Sequence, residues 1–275
     1  MSEGFKKIGL EVHGIREALP RVLVGHVVSP SEASKKPQAV AALFDALGLG
    51  LAPRDDGSTY SLPDTCGPEW NFSYQWPQHT ATDDRVLERQ SYEPVCNFLK
   101  NVSLICANVS GGQDCVDGLL FNTDIFTCRY ENPHLVHGQK VYHRHRVAGR
   151  TDVAVLKAEQ RGQILRHMVK FAIELKTVEG YRQSATGCMR EAQLQLIGLN
   201  AFNTLSSPPV LLSNLARTHQ VVYLTKDEDW NYAIAVQNCA TFAAAVHFAN
   251  QKSEEGGISQ HFARPNTPQS SDDSS

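Results

Sequence analysis

The chain contains no apolar run approaching the roughly 18 residues that a membrane-spanning helix requires, so no membrane partner is expected. Its opening residues, MSEGFKKIGLEVHG, lack the apolar stretch of a secretory signal, and the expected location is intracellular. None of the seven cysteines (66, 96, 106, 115, 128, 188 and 239) forms a CxxC pair, and their number is odd. Free thiols are therefore expected in place of a disulfide framework. Long basic blocks are also missing, and the formal net charge is -3, which argues against a tight, non-specific binder of polyanions. A local basic groove is still allowed. There is no glycine-rich P-loop, no G-x-S-x-G elbow and no kinase signature set, which removes three large classes of enzyme.

What is present is an ordinary globular composition, 41% hydrophobic and 20% charged, over 275 residues. Such a length can bury a substantial core. Residues 1–83 read as an N-terminal accessory segment, turn-rich apart from a helix at 38–52 with Val40, Phe44 and Leu47 on one face. Residues 84–255 read as the main domain. Its first helix, 84–109, carries Val95, Phe98, Leu99, Val102 and Ile105 at i, i+3, i+4 spacing and is open to a break near Pro94. A loop-rich 110–147 follows, with short strand candidates at LLFNTDIFTCRY and QKVYHRHRV. Clear strands are expected at 150–157 and 168–177, a helix at 184–203, a strand pair at 208–216 and 218–226, and a last helix at 230–251. Residues 256–275, rich in Pro, Ser and Asp, read as a disordered tail. The order describes an α/β fold, a mixed central sheet flanked by helices.

The chemistry gathers at two of these strands. In a strand, residues i and i+2 share a face, so Glu174 and Lys176 project together. If 150–157 pairs with 168–177, Asp152 reaches the same place. Two carboxylates supply the oxygen ligands that a hard cation such as Mg²⁺ takes, with Mn²⁺ as a substitute. A metal so held acidifies a bound water and neutralises charge on a phosphate, and the neighbouring ammonium stabilises an oxyanion. Glu-x-Lys alone is a common pattern on exposed strands. Here it closes an apolar run, Met168 to Ile173, where charge is costly unless it has a task.

The segment GRTDVAVLK…KFAIELKT…REAQLQLIGL resembles the PD-(D/E)XK nuclease superfamily. The resemblance implies a restriction-endonuclease-like core in which Asp152 and Glu174 bind metal, Lys176 assists the attacking water and a helix Gln contributes. That Gln is Gln193 or Gln195; the two diverge by ~200° around a helix, and Gln193 is preferred. A Glu on the preceding helix often joins the ligands, and Glu93 is the first candidate, Glu88 the second. Thr151 stands where the family often has Pro. More narrowly, residues 85–250, with PVLLSNLARTHQVVYL after the Gln helix, look like the nuclease-type C-terminal domains of Crinkler effectors from fungi and oomycetes. That likeness implies DNA as partner and the nucleus as site of action; the translocation motif of full-length Crinklers is missing from the first 80 residues. A nuclease-fold module that binds nucleic acid or protein without cleaving is the alternative.

Lys140, His143, Arg144, His145, Arg146 and Arg150 fall within eleven residues, and His143, His145, Arg146 and Arg150 are candidate nucleic-acid contacts. His134 and His137 with the HRH triplet lack any settled metal-ligand spacing and read as a polar loop. Trp70, Tyr74 and Trp76 read as packing residues in preference to base-stacking ones.

Overall fold

A computed structural model of the protein describes residues 21–23, 27–52, 58–63, 72–77, 90–101, 118–136, 139–156, 169–201, 206–226 and 232–255. The expected tail at 256–275, together with Glu88, Trp70 and His137, lies outside them. In chain order the elements are β1 (Arg21–Leu23), β2 (Val27–Val28), a 3-10 turn (Pro30–Glu32), α1 (Pro37–Leu47), β3 (Gly50–Leu51) and β4 (Thr59–Tyr60). Then come helix α2 (90–101), β5 (Gly118–Val136), β6 (Gln139–Leu156), β7 (Val169–Leu175), α3 (Val178–Asn200), β8 (Val210–Ser213), β9 (His219–Lys226), β10 (Tyr232–Cys239) and α4 (Phe242–Glu254).

All ten strands join one mixed sheet, whose spine runs β6-β7-β8-β9-β10. β6 and β7 are antiparallel, β7 and β8 parallel, and the remaining two pairs antiparallel. Parallel neighbours need a crossover, and α3 is that crossover between β7 and β8. Strand alternation sorts the core into two layers. Ala154, Ala172, Leu212 and Val222 pack beneath α1 and α3, whereas Val153, Phe171, Ile173, Leu211 and Val221 pack against α2 and α4. Among the described residues no helix is long and apolar enough to cross a membrane.

The N-terminal segment does more than lie against the main domain. β1 and β2 pair with β6, β3 and β4 pair with β10, and α1 buries Val40, Leu43 and Phe44 in the α3 layer. α1 ends at Leu47, short of the expected 52, because Gly48 sits at φ 63°, a left-handed cap where a side chain would be strained, and Gly50–Leu51 is a strand.

Three expectations are corrected. The loop-rich 110–147 is, over its described part, two long paired strands, and the short strand candidates at 119–130 and 139–147 lie within them. β5 and β6 are 19 and 18 residues long and pair from Gly118–Leu156 out to Val136–Gln139. The outer half of β6 has no apolar alternation to read; backbone pairing to β5 on one edge and to β1 and β2 on the other holds it extended. The single helix expected at 230–251 is β10 followed by α4. Its Ala and Gln residues favour helix, but Tyr232, Ile234 and Val236 alternate beside a ready partner strand, and pairing wins. α4 starts only after Thr241, whose hydroxyl accepts from the Ala244 amide at 3.1 Å. Finally, α3 begins at Val178 and not at 184. Thr177 caps it, accepting from Gly180 N at 2.9 Å, and Ser184 is a break inside the helix (φ -147°, ψ 52°).

Candidate active site

The site is made where β6 and β7 part. Their ladder closes with the pair Val153–Ile173. One residue further, the Leu175 amide donates to Asp152 Oδ2 at 2.7 Å, a side chain taking the place of a strand partner. The Lys176 amide donates across to the Ser213 carbonyl of the next strand at 2.9 Å. A cleft of about 990 Å³ lies over this fork, and Arg150, Asp152, Glu174, Lys176 and Glu191 all line it. Asp152, Glu174 and Lys176 are thus brought together as their strand positions suggest.

Glu174 is 3% exposed. Its Oε1 pairs with Lys176 Nζ at 2.6 Å, and its Oε2 accepts a hydrogen bond from Gln195 Nε2 of α3. The Gln195 carbonyl in turn faces the Thr151 hydroxyl at 3.4 Å, which sets which end of the amide meets Glu174. The preferred residue, Gln193, is therefore corrected to Gln195. Gln193 is also buried, but two residues earlier on α3 it points along a different radius.

Glu93 is corrected too. It is exposed on α2 and does not line the cleft, because that helix turns Tyr92, Val95 and Cys96 toward it. The extra carboxylate comes instead from Glu191, whose Oε2 lies 2.8 Å from Lys176 Nζ. Glu191 was missed, although a signal existed: it stands four residues before Gln195, the spacing that puts two side chains on one helix face.

Electrostatics follow from three acids sharing a dry corner. Burial, then the Asp152 charge, pushes the Glu174 carboxyl up to about 7 against the pull of Lys176. Burial and the Glu174 charge likewise raise Glu191 to about 7. Burial alone would lower Lys176, but Glu174, Glu191 and Asp152 outweigh it and hold the ammonium firmly charged. Cys188, on the cleft wall, is raised to about 11 by burial and is an inert thiol at neutral pH.

A divalent cation suits this donor set. Among the described residues lining the cleft, Asp152, Glu174 and Glu191 stand with Lys176 and Arg150, and burial followed by mutual repulsion raises Glu174 and Glu191. Among the described residues no group of three or more His, Cys, Asp or Glu is arranged to hold a metal. The protein would thus offer Asp152 and Glu174, with Glu191 near, and water and phosphate would complete the shell. Mg²⁺ is commonly bound through one or two carboxylates in this way.

The remaining candidates separate. Arg150 lines the cleft, Arg146 is exposed on β6 away from it, and His143 and His145 are register positions of β6 whose side chains lie outside the described part. Tyr74 and Trp76 pack edge to face at 5.2 Å, and Trp76 Nε1 donates to the Asn214 carbonyl at 2.6 Å, a packing role. Cys96, Cys188 and Cys239 are free and buried. No protein-family model matches the chain, and a search of curated proteins finds no match.

Proposed function

We propose that this chain is a Mg²⁺-dependent nuclease that hydrolyses phosphodiester bonds in DNA, built on a restriction-endonuclease-like core of the PD-(D/E)XK kind. The observation that carries the proposal is the fork itself. Two carboxylates and an ammonium from adjacent strand ends line one cleft, and a buried Gln from the crossover helix holds one of the carboxylates from behind. A Mg²⁺ held there would supply an acidified water and neutralise charge on the phosphate. Lys176 Nζ orients that water or meets the oxyanion, while Glu191 holds the ammonium in reach. Gln195 fixes the Glu174 carboxylate, and Thr151 fixes Gln195. The narrower likeness to Crinkler nuclease domains would put this activity in a nucleus.

One observation favours a second reading. Both Glu174 oxygens are already engaged, one by Lys176 and one by Gln195. A module that binds nucleic acid or protein without cleaving would keep them so. Incubating the protein with plasmid DNA and Mg²⁺ or Mn²⁺ tests the two. Cleavage that EDTA stops and that Asp152→Ala and Glu174→Ala abolish supports the nuclease. DNA binding without cleavage by the folded wild type supports the binding module.

A further inference from the structure

The cleft has two unlike walls, because the sheet end at its floor lies between two helix layers. On the α3 side stand Ser31, Ser34, Gln183, Ser184 and Glu191, a polar wall. The N-terminal turn is seated closely there. A Cβ on Gly149 would meet Pro30 Cδ at 2.5 Å, and one on Gly187 would meet Ser34 Cβ at 2.8 Å, so two glycines let the turn close in.

On the α2 side the wall is aromatic. Tyr92, Cys96 and Lys100 stand four residues apart and share one face of that helix. The Tyr92 and Phe121 rings meet edge to face at 6.3 Å, and Lys100 Nζ stands 5.8 Å from the Phe121 ring centre. Tyr92 is 46% exposed; among the described residues Leu51 and Val178 are the other exposed large hydrophobics, and neither lines the cleft. Burial, then Cys96 and the Asp152 charge, raise the Tyr92 phenol, which places this residue within electrostatic reach of the carboxylate corner.

Depth and lining decide what such a slot accepts. Glu174, at the floor, is 3% exposed, so a phosphate reaches it only if the nucleotides beside that phosphate enter between the walls. A volume of about 990 Å³ is that of a small-molecule site, with room for roughly one or two nucleotide units and not for paired strands. A duplex keeps its bases stacked inside, where no ring of the cleft can reach them. A single strand turns its bases out, and any base laid on an open aromatic ring gains from stacking. Lys100, beyond Phe121, is placed for a neighbouring phosphate.

We infer that the Tyr92–Phe121 wall is a base-stacking subsite and that the cleft takes single-stranded DNA, with an unpaired base on the Tyr92 ring beside the phosphate at Asp152 and Glu174. What happens to that phosphate rests on the proposed nuclease reading; the stacking does not. A negatively supercoiled plasmid still offers such a strand where it opens locally.

Binding is read from the anisotropy of a labelled 16-nucleotide single strand, and of the same strand paired to its complement, with Ca²⁺ in place of Mg²⁺. The single strand should bind at least tenfold tighter, a comparison that needs no variant. Tyr92→Leu, which keeps apolar bulk without a ring, should weaken single-strand binding by about fivefold or more. Tyr92→Phe should recover most of that loss, whereas a packing role would be served as well by Leu. Leu51→Ala, exposed on β3, should change nothing. Unchanged single-strand affinity in a Tyr92→Leu protein of wild-type melting temperature overturns the subsite. So does a duplex bound as tightly as the single strand. Cleavage with Mg²⁺ separates the two readings. A Tyr92-dependent single-strand complex that the folded wild type never cuts sinks the nuclease and leaves the subsite. Equal cutting of duplex and single strand, undiminished in Tyr92→Leu, sinks the subsite and leaves the nuclease.

Discussion

Glu174 and His219 are both buried titratable residues on strands of the same sheet, 3% and 4% exposed, yet they sit in opposite kinds of environment. His219, on the α4 side, meets the Ser213 hydroxyl at 2.8 Å and packs against the ring of Phe242. Burial pulls it down to about 4, so it is neutral at pH 7. Glu174, on the α3 side, shares its corner with two more acids and one lysine, and burial pushes it up to about 7. Desolvation is the leading cause in both. What separates a structural residue from a candidate catalytic one is the unmatched charge around it, not the burial.

Substitutions sharpen that contrast. The largest effect is expected from Asp152→Ala and Glu174→Ala, each lowering Mg²⁺-dependent cleavage of plasmid DNA by about a thousandfold or more with the fold retained. Lys176→Ala should cost about a hundredfold in rate. It should also lower stability by about 3–5 kcal/mol in urea melts at pH 8, because it strands Glu174 as a buried, unpaired charge. The penalty should shrink at pH 5.5, where Glu174 is protonated. Gln195→Ala should cost about tenfold in rate, as for a residue that orients a ligand, whereas Gln193→Ala should leave the rate unchanged; equal losses would erase the assignment of Gln195.

The smallest effects, and the most direct test, concern pH. Glu174 has its folded pKa raised above the unfolded one, so the folded state holds the extra proton and stability falls as pH rises from about 4.5 to 7. His219 has its folded pKa lowered, so its contribution is lost as pH falls from about 6.5 to 4. The two slopes oppose each other in one window. Melting temperatures from pH 4.5 to 7.5 should rise more steeply with pH in Glu174→Gln than in the wild type. In His219→Leu they should fall, with cleavage activity intact. Parallel profiles in both variants would mean that the two sites are not electrically distinct.

One half of this contrast, the Glu174 corner, is legible in the sequence, and the illegible part has physical causes. Asp152, Glu174 and Lys176 stood out because charge interrupted apolar runs, and strand parity alone brings Glu174 and Lys176 together. Gln195 was separable from Gln193 only through its contact with Glu174, since both sit among apolar neighbours and both are buried. Glu191 lay at the right helical spacing but had no strand context to flag it. β10 was read as helix because single-residue preference was all that could be seen; its partner β9 was a long-range fact. The strand candidates at 119–130 and 139–147 lie within β5 and β6, but the full length of those strands is not legible, because the outer half alternates charge and histidine and carries no hydrophobic stripe.

The fork at Val153–Ile173 carries one more consequence. Because the Leu175 amide proton is given to Asp152 Oδ2, its resonance frequency and its rate of exchange with deuterium report directly on that carboxylate's ionisation and on any ligand drawing charge from it. The backbone at the floor of the cleft thus doubles as a built-in spectroscopic probe, readable by NMR without an added chromophore.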